Sequence, residues 1–168
     1  MKLHPPPRST KEEREFHQRF TTAKERWLDA GHGRCVLQSP RIRDRATQAI
    51  LEACESAGEL WSIVMMPNHV HLLASCRSDL PLTHLVRNAK GRSAREINRS
   101  QETEGTVWAR DYFDRLIRDD NHFWACARYI RRNPRKAGLR KHSYTLLEHP
   151  RVRALLDQDE GGRAPCPD

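Results

Sequence analysis

The chain has 168 residues, 31% charged and 37% hydrophobic, with 30 Lys plus Arg against 22 acidic residues, a net charge of +8 and a pI near 9.7. That length suits one domain with a real core, and the composition excludes a membrane protein: no apolar run approaches the ~18 residues of a spanning helix, and the N-terminus, MKLHPPPRST, lacks the apolar stretch of a signal peptide, so the cytoplasm is the expected location. The excess of base points to a polyanionic partner, nucleic acid first, while five cysteines (Cys35, Cys54, Cys76, Cys126, Cys166) with no CxxC pair suggest neither a disulfide framework nor a zinc knuckle.

Pro5-Pro6-Pro7 marks an extended lead-in. Ser9 or Thr10, with Glu12 or Glu13 three residues on, forms a capping box for an amphipathic helix. Its apolar stripe is Phe16, Phe20, Ala23 and Trp27, and Gly31 and Gly33 stop it. Cys35-Val36-Leu37 is a short apolar segment. Ser39-Pro40, a cap followed by proline at the first helical position, opens a second helix with Ile42, Ala46, Ala49, Ile50 and Ala53 on its apolar side, ending near Gly58.

Leu60 to Ala74 reads as two short apolar strands joined at Pro67-Asn68. Residues two apart in a strand share a face, so Val70 and Leu72 point one way and His69 and His71 the other. A third helix is expected from Leu80 to about Arg99. Leu82, Leu85, Val86, Ala89 and Ile97 share one arc, while Arg87, Lys90, Arg92, Arg95 and Arg99 spread over the opposite one with a single nearby acid, Glu96. Such an arc is either a solvated face or a phosphate-binding one. Thr106 to Ile117 is apolar-rich and reads as strand, turn or both, with Tyr112 as packing.

Asp119, Asp120 or Asn121 caps a fourth helix running to about Arg132, where Pro134 ends it. Phe123, Ala127 and Ile130 form its buried stripe, and His122, Cys126, Tyr129 and Asn133 follow at helical spacing on a second one. No acid interrupts the run from Arg128 to Lys141, so Arg128, Arg131, Arg132, Arg135 and Lys136 form the strongest local basic cluster. Leu146 to Leu156 suggests a short helix, and Asp157 to Asp168 a disordered tail.

Two imidazoles side by side on a half-buried hairpin can hold a metal ion, although a lone histidine pair is more often structural. A tyrosine on a helix end among arginines suggests a phosphate nucleophile, although core tyrosines are commoner. No phosphate loop, GxSxG elbow or HExxH motif competes for the chemistry.

In combination, MPNHVHLL (Met66 to Leu73), VWARDYFDRLIRD (Val107 to Asp119) and RYIRRNPRKAGL (Arg128 to Leu139) resemble the REP-associated tyrosine transposases, members of the single-tyrosine HUH transposase superfamily and the IS200-like family. ERWLDAGHGRC (Glu25 to Cys35) also resembles one branch of them, and the likeness covers roughly residues 10 to 140. It implies an α+β, ferredoxin-like fold: an antiparallel β-sheet with helices packed on one face. Residues 1–141 would be the transposase-like domain and 142–168 a partly disordered C-terminal extension. Relatives of this branch begin with an extra Tyr-Phe-Val-Thr-Phe-like strand, so the fold is expected without that first strand.

By the same resemblance His69 and His71 match the metal-binding pair, Asn133 the polar residue that completes the site, and Tyr129 the nucleophile. Tyr112 and Tyr144 lie outside the YIxxNP context. A divalent ion, Mg²⁺ or Mn²⁺, would polarise the scissile phosphate, and Tyr129 would form a 5′-phosphotyrosyl link to single-stranded DNA beside a palindromic hairpin. Arg87, Lys90, Arg92, Arg95, Arg128, Arg131, Arg132 and Lys136 are the candidate DNA contacts, and a homodimer is an option. Two rival readings are a non-catalytic nucleic-acid-binding descendant and a hydrolytic nuclease in which water replaces Tyr129.

Overall fold

A computed structural model describes Leu28, Ala30, residues 32–110 and residues 112–161, the side chains of 160 and 161 excepted. The helix expected over residues 9–27 and the last seven residues lie outside this range. The described chain runs through α1 (Pro40–Ala57), β1 (Gly58–Met65), β2 (Val70–Cys76), α2 (Leu82–Gln101), α3 (Asp120–Lys136), β3 (Thr145–Glu148) and α4 (Pro150–Gly161). No helix among the described residues is long and apolar enough to cross a membrane.

The three strands form one antiparallel sheet in the order β2-β1-β3. Period-two alternation gives it two apolar faces. Ile63, Met65, Val70 and Leu72 pack against Leu37, against Ile50 and Ala53 of α1, and against Leu85 and Ile97 of α2. Trp61, Val64 and Leu73 face the other way, onto Phe123, Trp124, Tyr129 and Ile130 of α3 and Val152 and Leu156 of α4. The fold is α+β as expected, but helices cover both faces rather than one. The physical reason is that β1 is buried at every position from Trp61 to Met65, and a strand buried on both sides needs a layer on each.

Register explains two local choices. Leu60 pairs with Ala74 and Ser62 with Leu73, which leaves Trp61 as the extra residue of a β-bulge. Where β1 begins, a Cβ on Gly58 would overlap the Ser75 carbonyl oxygen, so only glycine lets the two backbones approach there. The α1 stripe is as expected. Burial pushes the Cys54 thiol up to about 11, with Cys76 and Glu55 adding to the shift, so it is a core group and no nucleophile at neutral pH.

Three expectations change. α3 does not end at Pro134 but continues to Lys136. Pro134 gives up its own bond and crowds the carbonyl four residues back, yet beyond it Ala137 N–H still donates to the Asn133 carbonyl at 3.0 Å; what stops this helix is Gly138 at φ 67°. Leu139 N–H donates to the Pro134 carbonyl at 2.9 Å and Gly138 N–H to the Arg135 carbonyl at 3.0 Å, a Schellman closure. The segment expected as one short helix over Leu146–Leu156 is a strand, then a helix. Pro150 at the helix start biases the preceding residues to extended backbone, and β3 docks on β1 from Met65↔Thr145 to Ser62↔Glu148. The stretch after residue 141 therefore completes the sheet, and α4 runs past Asp157 to Gly161 with Val152 and Leu156 buried in the core. Residues 112–118, expected to hold strand or turn, have neither helix nor strand.

Candidate nucleophile and metal site

The β1–β2 turn is fixed from both sides. Met66 N–H donates to the His69 carbonyl at 2.9 Å, and Leu37 N–H donates to the Pro67 carbonyl at 2.9 Å. Asn68 sits between these anchors. Its Nδ2 donates to the Leu28 carbonyl at 2.9 Å and to the His32 carbonyl at 2.6 Å, which turns Oδ1 toward His69. Oδ1 lies 2.7 Å from His69 Nδ1. A carboxamide oxygen only accepts, so Nδ1 carries the proton, and the Nε2 of a neutral His69 carries the lone pair.

That Nε2 faces the Nε2 of His71 at 3.0 Å, the rings edge-on with centroids 4.7 Å apart. His69 stands just before β2 and is buried; His71 pairs with Val64 and is half-buried. One proton can bridge two imidazole nitrogens held this way, and so can one divalent ion.

α3 brings the rest of the site to the same face. Its N-terminus is set by Asp119, whose Oδ1 accepts from His122 N–H at 2.8 Å. Two turns along, the buried Tyr129 ring stands edge-on to His71 with centroids 5.3 Å apart. Lys136 Nζ lies 5.7 Å from the Tyr129 ring centroid. Asn133 is one turn past Tyr129, 1% exposed, and neither its Oδ1 nor its Nδ2 has a hydrogen-bond partner among the described residues. A buried polar group left so costs about 1–3 kcal/mol, which is easiest to understand if a ligand engages it. The described residues contain no group of three His, Cys, Asp or Glu able to hold a metal. The donors brought together are two imidazole nitrogens, with the Asn133 carboxamide one turn past Tyr129; such nitrogen donors fit a divalent first-row ion better than a purely oxygen-loving one.

The structure therefore gathers His69, His71 and Tyr129, with Asn133 one turn on along the same helix. It does not gather the basic residues. Arg128 is 2% exposed with Nη1 3.4 Å from Asp159 Oδ2. Arg131 grips Glu148 with two bonds of 2.9 and 2.7 Å and Asp157 with one of 2.9 Å. For Arg128 and Arg131 the acid-free run in sequence meets its acids in space, from β3 and α4; further along the helix Arg132 is half-buried and Arg135 and Lys136 are exposed. Arg87, Lys90, Arg92 and Arg95 lie on α2, in the layer across the sheet. Arg87 and Arg95 are exposed, Arg92 reaches Glu52 at 3.5 Å, and Lys90 donates to the carbonyls of Ala109 and Arg110.

Sequence reasoning passed over Asn68. A polar side chain in the turn just ahead of a candidate ligand was the available signal.

Residues 32–133, a stretch that spans α1, both strands of the histidine hairpin, α2 and most of α3, match the family described as "Transposase IS200 like". The match ends on Asn133. No curated protein and no solved structure matches the chain.

Proposed function

The chain belongs to the IS200-like transposase family, and on that premise we propose that it cuts and rejoins single-stranded DNA beside a short palindromic hairpin, with Tyr129 as the nucleophile. The observation that supports this most is the edge-on contact of Tyr129 with His71, whose Nε2 meets that of His69 at 3.0 Å. Nothing else in the described chain puts a nucleophile beside a candidate metal site.

In this reading the Tyr129 oxygen attacks the scissile phosphorus in line. The Tyr129 hydroxyl gives up its proton as the Tyr–O–P bond forms, the P–O3′ bond breaks, and the departing 3′-oxygen takes up one proton to become a hydroxyl, so the step is proton-neutral. The phosphoester is conserved in the 5′-phosphotyrosyl link, so a second 3′-hydroxyl can reverse the step and join strands without a nucleotide cofactor. His69, His71 and Asn133 are the proposed ligands of a divalent ion, Mg²⁺ or Mn²⁺, of which Mn²⁺ suits the two imidazoles better; when bound it would supply positive charge to a phosphate oxygen. Lys136 puts a positive charge beside the nucleophile. Arg132 and Lys136 on α3 and Arg87, Lys90, Arg92 and Arg95 on α2 are the proposed phosphate contacts, whereas Arg128 and Arg131 are engaged by acids.

The test uses a single-stranded hairpin DNA labelled at either end, incubated with Mn²⁺ and then denatured. The 3′-labelled part should migrate with the protein and the 5′-labelled part should be released with a free 3′-hydroxyl. Tight binding without scission in any divalent ion sinks the proposal in favour of a non-catalytic binder. Scission without an adduct favours a hydrolytic nuclease.

Asn68 gives a second check on the same site. Asn68→Ala removes the acceptor that holds His69 in one tautomer and frees the turn from the carbonyls of Leu28 and His32. Loss of such an outer partner weakens metal binding by about 10- to 100-fold. Titration of Mn²⁺ followed by electron paramagnetic resonance reads this without any DNA, and an unchanged affinity would show that Asn68 does not orient the pair.

A further inference from the structure

Among the described residues five large hydrophobic side chains are exposed, and three of them, Tyr112 at 39%, Phe113 at 51% and Leu116 at 83%, fall within five positions of one another. Tyr112 is thus not the packing residue its sequence context suggests. The stretch is also held. Upstream, Trp108 Nε1 donates to Ser93 Oγ at 2.9 Å, and Lys90 Nζ donates to the carbonyls of Ala109 and Arg110 at 2.8 and 3.2 Å. Downstream, Ile117 packs on the α3 core and Asp119 caps α3. A segment anchored at both ends that still turns its aromatic rings outward leaves a costly surface uncovered.

Its chemistry says what covers it. Cations flank the rings, with Lys90 Nζ 5.2 Å from the Tyr112 centroid and the Arg115 guanidinium 5.6 Å from that of Phe113. Residues 108–118 carry Arg110, Arg115 and Arg118 against Asp111 and Asp114, and Lys90 adds a further charge. Aromatic faces interleaved with cations suit unpaired bases on a polyanionic strand. The stretch links α2, which bears the basic arc, to α3, which bears Tyr129.

We propose that residues 112–116 form a stacking platform for unpaired bases of single-stranded DNA, with Phe113 and Tyr112 taking base faces while Arg115 and Lys90 draw the phosphates. This rests on the transposase reading and adds where the strand lies outside the reacting centre.

The test compares full-length protein with the double variant Tyr112→Ala/Phe113→Ala and with Phe113→Trp, by fluorescence anisotropy. The probes are a hairpin DNA with an unpaired flank and the same DNA with an abasic flank. The double variant should lose about 5- to 150-fold in affinity for the intact flank, less than twofold for the abasic one, and Phe113→Trp should bind like the parent. All the altered side chains are exposed, and a melting curve confirms that the variants fold. Equal affinity for the intact flank overturns the proposal and leaves the patch to a protein partner, as does equal weakening on both probes. If the parent forms the covalent adduct and the double variant binds undiminished, the platform alone is wrong. If the parent neither binds single-stranded DNA nor forms an adduct, the transposase reading fails and the platform with it.

Discussion

Tyr129→Phe yields a folded protein that binds hairpin DNA within about twofold of the parent, by the ~1.4 kcal/mol-per-decade scale of affinity, and forms no covalent adduct. The substitution removes one oxygen and keeps the ring that fills the space beside His71, so core packing changes little. The chemistry changes wholly, because the displaced 3′-oxygen has no protein atom to hand its phosphorus to. Any remaining scission must use water, and loss of a dedicated nucleophile costs on the order of 10⁴ or more in rate. Adduct is read by denaturing electrophoresis and binding by anisotropy on the same DNA. The two other tyrosines serve as controls. Tyr112 is exposed on the 112–116 stretch, and Tyr144 packs at the edge of the α3–α4 core; Phe at either should leave the adduct intact. An adduct that survives in Tyr129→Phe and vanishes in Tyr112→Phe would move the nucleophile to the exposed stretch. His71→Ala supplies the complement: it should bind DNA yet lose the adduct, because it deletes one of the two facing nitrogens.

Much of this site could be read in the amino-acid order because it is local. Alternation alone puts His69 and His71 opposite Val70 and Leu72, and the 3.6-residue period alone puts Tyr129 and Asn133 on one stripe. What brings the hairpin and α3 together is tertiary packing, which the sequence suggested only through family likeness. The errors are non-local in origin. Arg128 and Arg131 looked like a basic cluster because their acids come 31, 17 and 26 residues later, at Asp159, Glu148 and Asp157. Those acids lie on a strand of four residues and on the helix after it, in a stretch whose weak periodicity concealed the strand and set the expected helix too early. The exposure of Tyr112 and Phe113 was equally hidden, since an aromatic run carries the same letters whether it faces a core or a strand of DNA. Pro134 misled for a simpler reason. The αL glycine four residues beyond it, which sets the helix end, is a stronger stop than a proline whose only missing bond is its own.

Arg131→Ala should lower the unfolding free energy by about 3–5 kcal/mol, a large share of the ~5–15 kcal/mol that a domain has. The Arg131 side chain is 11% exposed and that of Glu148 4%, and the guanidinium meets the carboxylate as a two-bond fork. Truncating the arginine leaves the Glu148 charge buried against α3 with its principal partner gone, and that stranded charge is most of the cost. Asp157, at 61% exposed, is solvated anyway and adds little. The pairing with Arg131→Met/Glu148→Leu separates the two possible roles of this residue. If Arg131 is a structural anchor, the double variant recovers most of the lost stability in urea titration, and DNA affinity of the refolded protein is close to that of the parent. If it instead meets a phosphate, Arg131→Ala costs less than about 0.5 kcal/mol, the slope of log affinity against log salt falls by about one, and the double variant restores nothing. The first outcome has a consequence for catalysis. Arg131 lies two residues past Tyr129, and its carboxylate partner sits on β3, which pairs with β1 beside the histidine hairpin. The fork thus ties the helix that carries Tyr129 to the sheet that carries His71, and a protein without it should lose adduct yield at temperatures well below its melting point.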